Sequence, residues 1–187
     1  TMKILVAGAT GNTGARLVRK LQEDGHSAIA MHRASSDTSV LPEGVTLREA
    51  DLTDLSQDVC NGADVVVFAA GSGGDTDEEM TRKVDRDGAK RLIDIAAQKG
   101  VGRFVMLSSV GAGDPDPDSD LAYYLEAKHE ADEHLKRSGL TYTIVRPVAL
   151  TDDDETGNVK LGDDVDPQGK AARGDVAAIM ARAVGDD

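Results

Sequence analysis

Short apolar runs alternate along the chain with stretches whose apolar residues recur at helical spacing. Ile4, Leu5, Val6 and Ala7 form a run too short for a helix and suited to a strand covered on both faces. Ala15, Leu17, Val18 and Leu21 follow at helical spacing, and Gly25 reads as the left-handed cap that closes this helix. Ser27–His32 reads as a second strand and residues 45–49 as a third. Residues 63–70 (ADVVVFAA) read as a fourth strand, buried on both faces. A long helix is predicted over 78–99, with Val84, Leu92, Ile93 and Ala96 on one face. Strands over 104–107 and 141–145 flank a helix over 121–137. After Pro147 the pattern loosens into an acidic loop at 151–156 (TDDDET) and a small strand at 157–162. Asp175 is placed to cap a last helix over 176–184.

Six strands interleaved with helices predict an α/β fold: a Rossmann-type, doubly wound parallel sheet flanked by helices, with right-handed crossovers. No linker or repeat interrupts the pattern, so one domain is expected over residues 1–187, with 148–187 forming a small cap on the substrate side. Thr1 ahead of Met2 reads as an added residue.

That pattern gives the glycines a meaning. Gly8, Gly11 and Gly14 fall between the first strand and the first helix, in the spacing G-x-x-G-x-x-G. Glycine lets a backbone turn tightly and approach a ligand, and the helix N-terminus beyond offers unpaired N–H groups and a partial positive charge. A dinucleotide's pyrophosphate suits such a turn; the plainer alternative is a turn that only packs helix on strand.

At the end of the second strand a Rossmann unit reads its cofactor. Acidic residues there favour NAD, and basic residues accommodate the 2′-phosphate of NADP. Arg33 with Ser35 or Ser36 makes NADP the expected cofactor, NAD remaining possible, unless Arg33 is only a solvated strand end. Asp51 and Leu52, after the third strand, could meet the adenine amino group and ring, or Asp51 could simply cap a turn. Ala69, Ala70 and Gly71 end the fourth strand with small side chains that leave room for the cofactor's second ribose.

Ser108 and Ser109 end the fifth strand, and Tyr124 and Lys128 lie four apart, on one face of the next helix. An ammonium beside a phenol lowers its pKa, and a serine hydroxyl can hold a carbonyl while the tyrosine transfers the proton. Asp114, Asp116, Asp118 and Asp120 do not make a calcium loop. An EF-hand glycine would fall on Ser119 and its closing glutamate on Leu125. His129 and His134 lack zinc-protease spacing, so no metal is expected.

Charge narrows the partners. The net charge of −13 repels nucleic acid and anionic membranes. The acids are spread along the chain, which favours adaptation to high salt, as in halophilic archaea, over an acidic interaction surface or ordinary acidity. Cys60 is the sole cysteine, no apolar run is long enough to span a membrane, and a cytoplasmic location is expected.

Together, Gly8-Ala9-Thr10-Gly11-Asn12-Thr13-Gly14, Ser108-Ser109, Tyr124-x-x-x-Lys128 and Thr141-Tyr142-Thr143-Ile144-Val145-Arg146-Pro147 resemble the atypical short-chain dehydrogenase/reductase superfamily. Within it the chain is similar to the small NAD(P)H-binding, NAD-dependent epimerase/dehydratase-like members. Flavin reductase/biliverdin reductase B and NmrA-type redox sensors are their relatives. The resemblance implies that Thr10, Gly11, Asn12 and Thr13 hold the pyrophosphate and that Lys128 bonds the nicotinamide ribose. It also implies that Pro147, Val148 and Ala149 flank the nicotinamide and that Ser109 and Tyr124 are the catalytic serine and tyrosine. Two departures stand out: Val148 replaces the glycine usual after Arg-Pro, and the strand that relatives carry after the last helix is not in this sequence. The expected activity is NADP-dependent hydride transfer to a small carbonyl, quinone or flavin-like acceptor. The alternatives are a non-enzymatic NADP-binding sensor and a sugar epimerase or dehydratase.

Overall fold

The computed structural model describes residues 1–71 and 77–185. Six strands form one parallel sheet: β1 (Lys3–Ala7), β2 (Ser27–His32), β3 (Thr46–Glu49), β4 (Val65–Phe68), β5 (Arg103–Leu107) and β6 (Tyr142–Val145). Their order is β3-β2-β1-β4-β5-β6, the Rossmann arrangement that the alternation predicts. The order reverses between β1 and β4. At such a switch point the connections leave in opposite directions, and a crevice opens at the carboxyl ends of the strands.

Period-two alternation explains why β1 reads as a continuous apolar run. Ile4 and Val6 pack to one side with Leu17, Val18 and Leu21 of α1 (Asn12–Glu23) and Val176 and Met180 of α5 (Arg173–Ala183). Leu5 and Ala7 pack to the other side with Leu92 and Ile93 of α3 (Ala89–Gln98) and Leu135 of α4 (Ala122–Lys136). Fully burying one such aliphatic side chain contributes about 1.5–3 kcal/mol. A central strand held from both faces thus fixes where the glycine turn begins. At its far end α1 closes as predicted. Gly25 has φ +87°, its N–H bonds the Gln22 carbonyl, and the His26 N–H reaches back to the Leu21 carbonyl.

The helix predicted over 78–99 carries a widened stretch. It runs as α2 (Glu78–Thr81), a π-helical segment (Arg82–Gly88) and α3. The Asp77 carboxylate caps its start, accepting from the Met80 N–H at 2.8 Å. The π segment buries Asp85 and Gly88, and a Cβ on Gly88 would stand 2.9 Å from the Leu52 carbonyl oxygen. Val84 therefore faces the crevice, while Leu92, Ile93 and Ala96 stay in the core.

The C-terminal segment differs from the sequence reading in two places. Residues 157–162 form no strand. Instead β7 (Ala149–Thr151) pairs in parallel with β8 (Lys170–Ala172) as a small second sheet. The last helix begins at Arg173, so Asp175 lies in its first turn and is not its N-cap. The Asp175 carboxylate instead accepts from the N–H groups of Thr156 and Gly157 at 2.8 and 3.0 Å and from the Thr156 hydroxyl at 2.6 Å. An aspartate with three local donors ties down the acidic loop in preference to its own helix end. Among the described residues, no helix is long and apolar enough to cross a membrane.

Candidate functional site

The crevice at the switch point is a cleft of about 840 Å³, within the range of small-molecule sites. One wall is the glycine turn. Gly8 sits at φ +81°, where a Cβ would collide with the backbone of Ala69 and Ala70. A Cβ on Gly14 would collide with the Gly8 carbonyl, so these two glycines set the approach of β1, α1 and β4. Gly11 is different. Among the described residues, and apart from its own chain neighbours, a Cβ there would meet only the Gly8 carbonyl oxygen, at 3.4 Å. Gly11 caps α1 with no side-chain hydrogen bond, and the first turn holds no acid. Gly8, Thr10, Gly11, Asn12 and Thr13 line the cleft. The helix thus presents its uncapped N–H groups and positive end to open space, an arrangement suited to an anion.

At the β2–β3 end stand Arg33 and Ser36, with Asp51, Leu52 and Thr53 beyond. The Arg33 N–H donates to the Ser36 hydroxyl at 3.0 Å, which fixes the turn; Ser35 is exposed and does not line the cleft. The Asp51 carboxylate accepts from the Thr53 N–H and hydroxyl at 2.8 and 2.7 Å. Those bonds, helped slightly by the Arg33 charge, hold its carboxyl below the usual range, so Asp51 is an ionised acceptor. Ala69, Ala70 and Gly71 line the cleft beyond the end of β4.

The opposite end gathers Leu107, Ser108, Tyr124, Lys128, Leu150 and Arg173. Ser108, only 4% exposed, donates from its hydroxyl to Asp132 Oδ2 at 2.6 Å. Arg146 donates to the same oxygen from Nε and Nη2, each at 3.2 Å. Asp132 is fully buried, and its Oδ1 has no hydrogen-bond partner among the described residues. Lys128 is 1% exposed, with Nζ 4.0 Å from the Met106 sulfur and 5.2 Å from the centroid of the Phe68 ring. Burial lowers the Lys128 pKa, and the Asp85 and Asp132 charges oppose that shift. Tyr124 does not follow the expected pattern. Burial, with the Asp85 and Asp132 charges behind it, pushes the phenol up to about 12. The two carboxylates and the loss of water outweigh any help from Lys128, so Tyr124 is a neutral donor.

Several predicted residues lie off the cleft lining. Ser109 turns its hydroxyl to the Val110 carbonyl at 3.1 Å. Pro147, Val148 and Ala149 give way to Leu150, and Gly14 is a packing residue. Asp132 and Arg173 carry no role in the sequence reading, and Arg146 enters it only as part of the Thr141–Pro147 motif. Asp132 had a signal, since it follows Tyr124 and Lys128 at two successive intervals of four on one helix face. Arg173 had a weaker one, a lone cation opening the last helix.

Comparison with known proteins agrees with this geometry. The chain matches the NAD(P)H-binding family over residues 8–187. It is 38% identical over 185 residues to YhfK of Bacillus subtilis, an uncharacterized sugar epimerase, covering 96% of this chain and 86% of that protein. The structure of a putative NAD-dependent epimerase/dehydratase from Bacillus halodurans superposes with a TM-score of 0.93 at 37% identity, over 99% of this chain and 88% of that one. ChuY, an anaerobilin reductase from Escherichia coli O157:H7, superposes with a TM-score of 0.80 at 26% identity, over 98% and 90%. With its Rossmann sheet, its glycine turn and a match that runs from that turn through the last helix, the chain belongs to the NAD(P)H-binding family.

Proposed function

We propose that the protein is an NADP-dependent reductase of the short-chain type, acting on a small carbonyl, quinone or flavin-like acceptor. The observation that carries this reading is the convergence of Tyr124, Lys128 and Ser108 on the cleft that begins at the uncapped end of α1. The turn from Thr10 to Thr13 would hold the pyrophosphate. Arg33 and Ser36 would meet the 2′-phosphate, Asp51 and Leu52 the adenine, and Lys128 the nicotinamide ribose. Bound there, the nicotinamide supplies hydride. Tyr124, held neutral by its surroundings, donates the proton to the acceptor's oxygen or nitrogen. Ser108 has its own proton committed to Asp132, so its lone pairs receive a hydrogen bond from ligand or tyrosine. Arg146 and Asp132 hold that hydroxyl in place.

Tyr124→Phe tests the reading, because it removes the donor and leaves the ring. In a screen of carbonyl, quinone and flavin acceptors followed by NADPH absorbance, turnover should fall roughly 100-fold, with NADP affinity unchanged. Full activity in this variant would place proton transfer elsewhere. A second reading, a sugar epimerase, follows from the name of the Bacillus subtilis relative, with the epimerase/dehydratase name of the Bacillus halodurans structure beside it. It predicts tightly retained NAD and turnover of a sugar with no net consumption of NADPH.

A further inference from the structure

Arg173 opens α5 and lines the cleft, yet its charge is spoken for by a partner that is easily displaced. Its Nη1 donates to Asp152 Oδ1 at 2.6 Å, and the Asp152 side chain is 73% exposed. An ion pair so open to water holds its partners weakly. The same Asp152 leans on α1, where Arg16 donates to its carbonyl oxygen at 2.7 Å and to Asp154 at 2.9 Å. Arg16 lies one turn beyond Asn12 on α1, and Asn12, Thr13 and Arg173 line the same cleft, so Asp152 bridges the Arg173 side of the cleft to α1. Among the described residues, the arginine and lysine side chains that line the cleft are Arg33, Lys128 and Arg173. Arg33 stands at the far, β2 end, and Lys128 is buried against Phe68 and Met106.

We infer that Arg173 is a pyrophosphate clamp that exchanges the Asp152 carboxylate for the cofactor's diphosphate, and that Asp152 competes with the cofactor for it. The inference rests on the dinucleotide reading of the cleft. A diphosphate offers the guanidinium a fork of oxygens and a higher charge than one carboxylate, while the N–H groups of α1 hold its other side. The exchange leaves Asp152 still tethered through its carbonyl to Arg16.

Opposite signs in two variants test it. Dissociation constants for NADP and ADP-ribose, measured by calorimetry at one salt concentration, should rise roughly tenfold or more in Arg173→Ala, the size of one lost charge-assisted hydrogen bond. Arg173→Lys should recover part of the loss. Asp152→Asn should bind both ligands about two- to fivefold more tightly, because it removes an exposed competitor. Adenosine 2′-phosphate has no pyrophosphate, so its affinity should be the same in all four proteins. Weaker binding in Asp152→Asn, or equal loss of all three ligands in Arg173→Ala, would show a purely structural pair and overturn the clamp. Wild type that binds none of the three would instead overturn the dinucleotide reading itself, and the clamp with it.

Discussion

At the scale of single residues, the cleft separates glycines that pack from a glycine that makes room. Gly8 and Gly14 are required by neighbouring backbone, whereas a Cβ on Gly11 would meet, among the described residues beyond its chain neighbours, only the Gly8 carbonyl oxygen at ordinary contact distance. The spacing of the three was legible in the sequence, but this division of labour was not, because it depends on how closely β4 approaches the turn. The serine shows the same limit. A pair of serines ending a strand is readable, yet adjacent residues leave a strand on opposite sides. Which of them meets the cleft was decided by a bond from Ser108 to an aspartate 24 positions away. The phenol of Tyr124 shows it too: burial raises its pKa most, with Asp85 of the π segment and Asp132 of its own helix adding to the shift, and neither the burial nor the approach of Asp85 is carried by the Tyr-x-x-x-Lys spacing. Arg33 gives the clearest test at this scale. Arg33→Asp should replace attraction for the 2′-phosphate with repulsion. Loss of one charge-assisted bond, about 1.5–3 kcal/mol, shifts the NADP/NAD affinity ratio tenfold or more toward NAD. Titrations of both cofactors at one salt concentration measure the ratio, and an unchanged value would point the side chain elsewhere.

At the scale of elements, the strands and helices of residues 1–145 follow the sequence pattern because each is ruled by its own periodicity. The π segment was invisible, since apolar spacing reports a face and not the winding that presents it. The C-terminal segment was harder still. Its two strands are three residues each and pair across the acidic loop, too short for alternation to register. Asp175 is the hinge of that region. Its three hydrogen bonds, the one to the Thr156 hydroxyl foremost, hold its folded pKa below the usual carboxylate value. A depressed folded pKa stabilises the folded chain above the unfolded value near 4 and is lost as pH falls through the folded one. Asp175→Ala should therefore lower the melting temperature at neutral pH. The gap from wild type should shrink as acid protonates the native carboxyl. Thermal melts across the acid range measure this gap, and a gap constant with pH would show that the charged form of Asp175 contributes nothing.

At the scale of the whole molecule, a chain of net charge −13 collects Arg33, Lys128 and Arg173 around one cleft, against the trend of its surface. A cleft lined by cations in an anionic protein draws a phosphate-bearing ligand to one place. The doubly wound parallel fold was legible because it follows from the alternation of strands and helices. The substrate was not, since it is chosen by side chains that the topology brings together from β5, α4, β7 and α5. The central claim is that this cleft binds a nicotinamide dinucleotide against the glycine turn. Calorimetric titration of NADPH and NADH into wild type and Gly11→Val tests it most directly, with melting curves to show that both proteins are folded. One cofactor should bind per wild-type chain, NADPH the more tightly. Binding to Gly11→Val should weaken by more than about 100-fold, because the side chain stands between the phosphates and several N–H donors. Equal affinity in the two folded proteins, or no binding to wild type, would contradict the account.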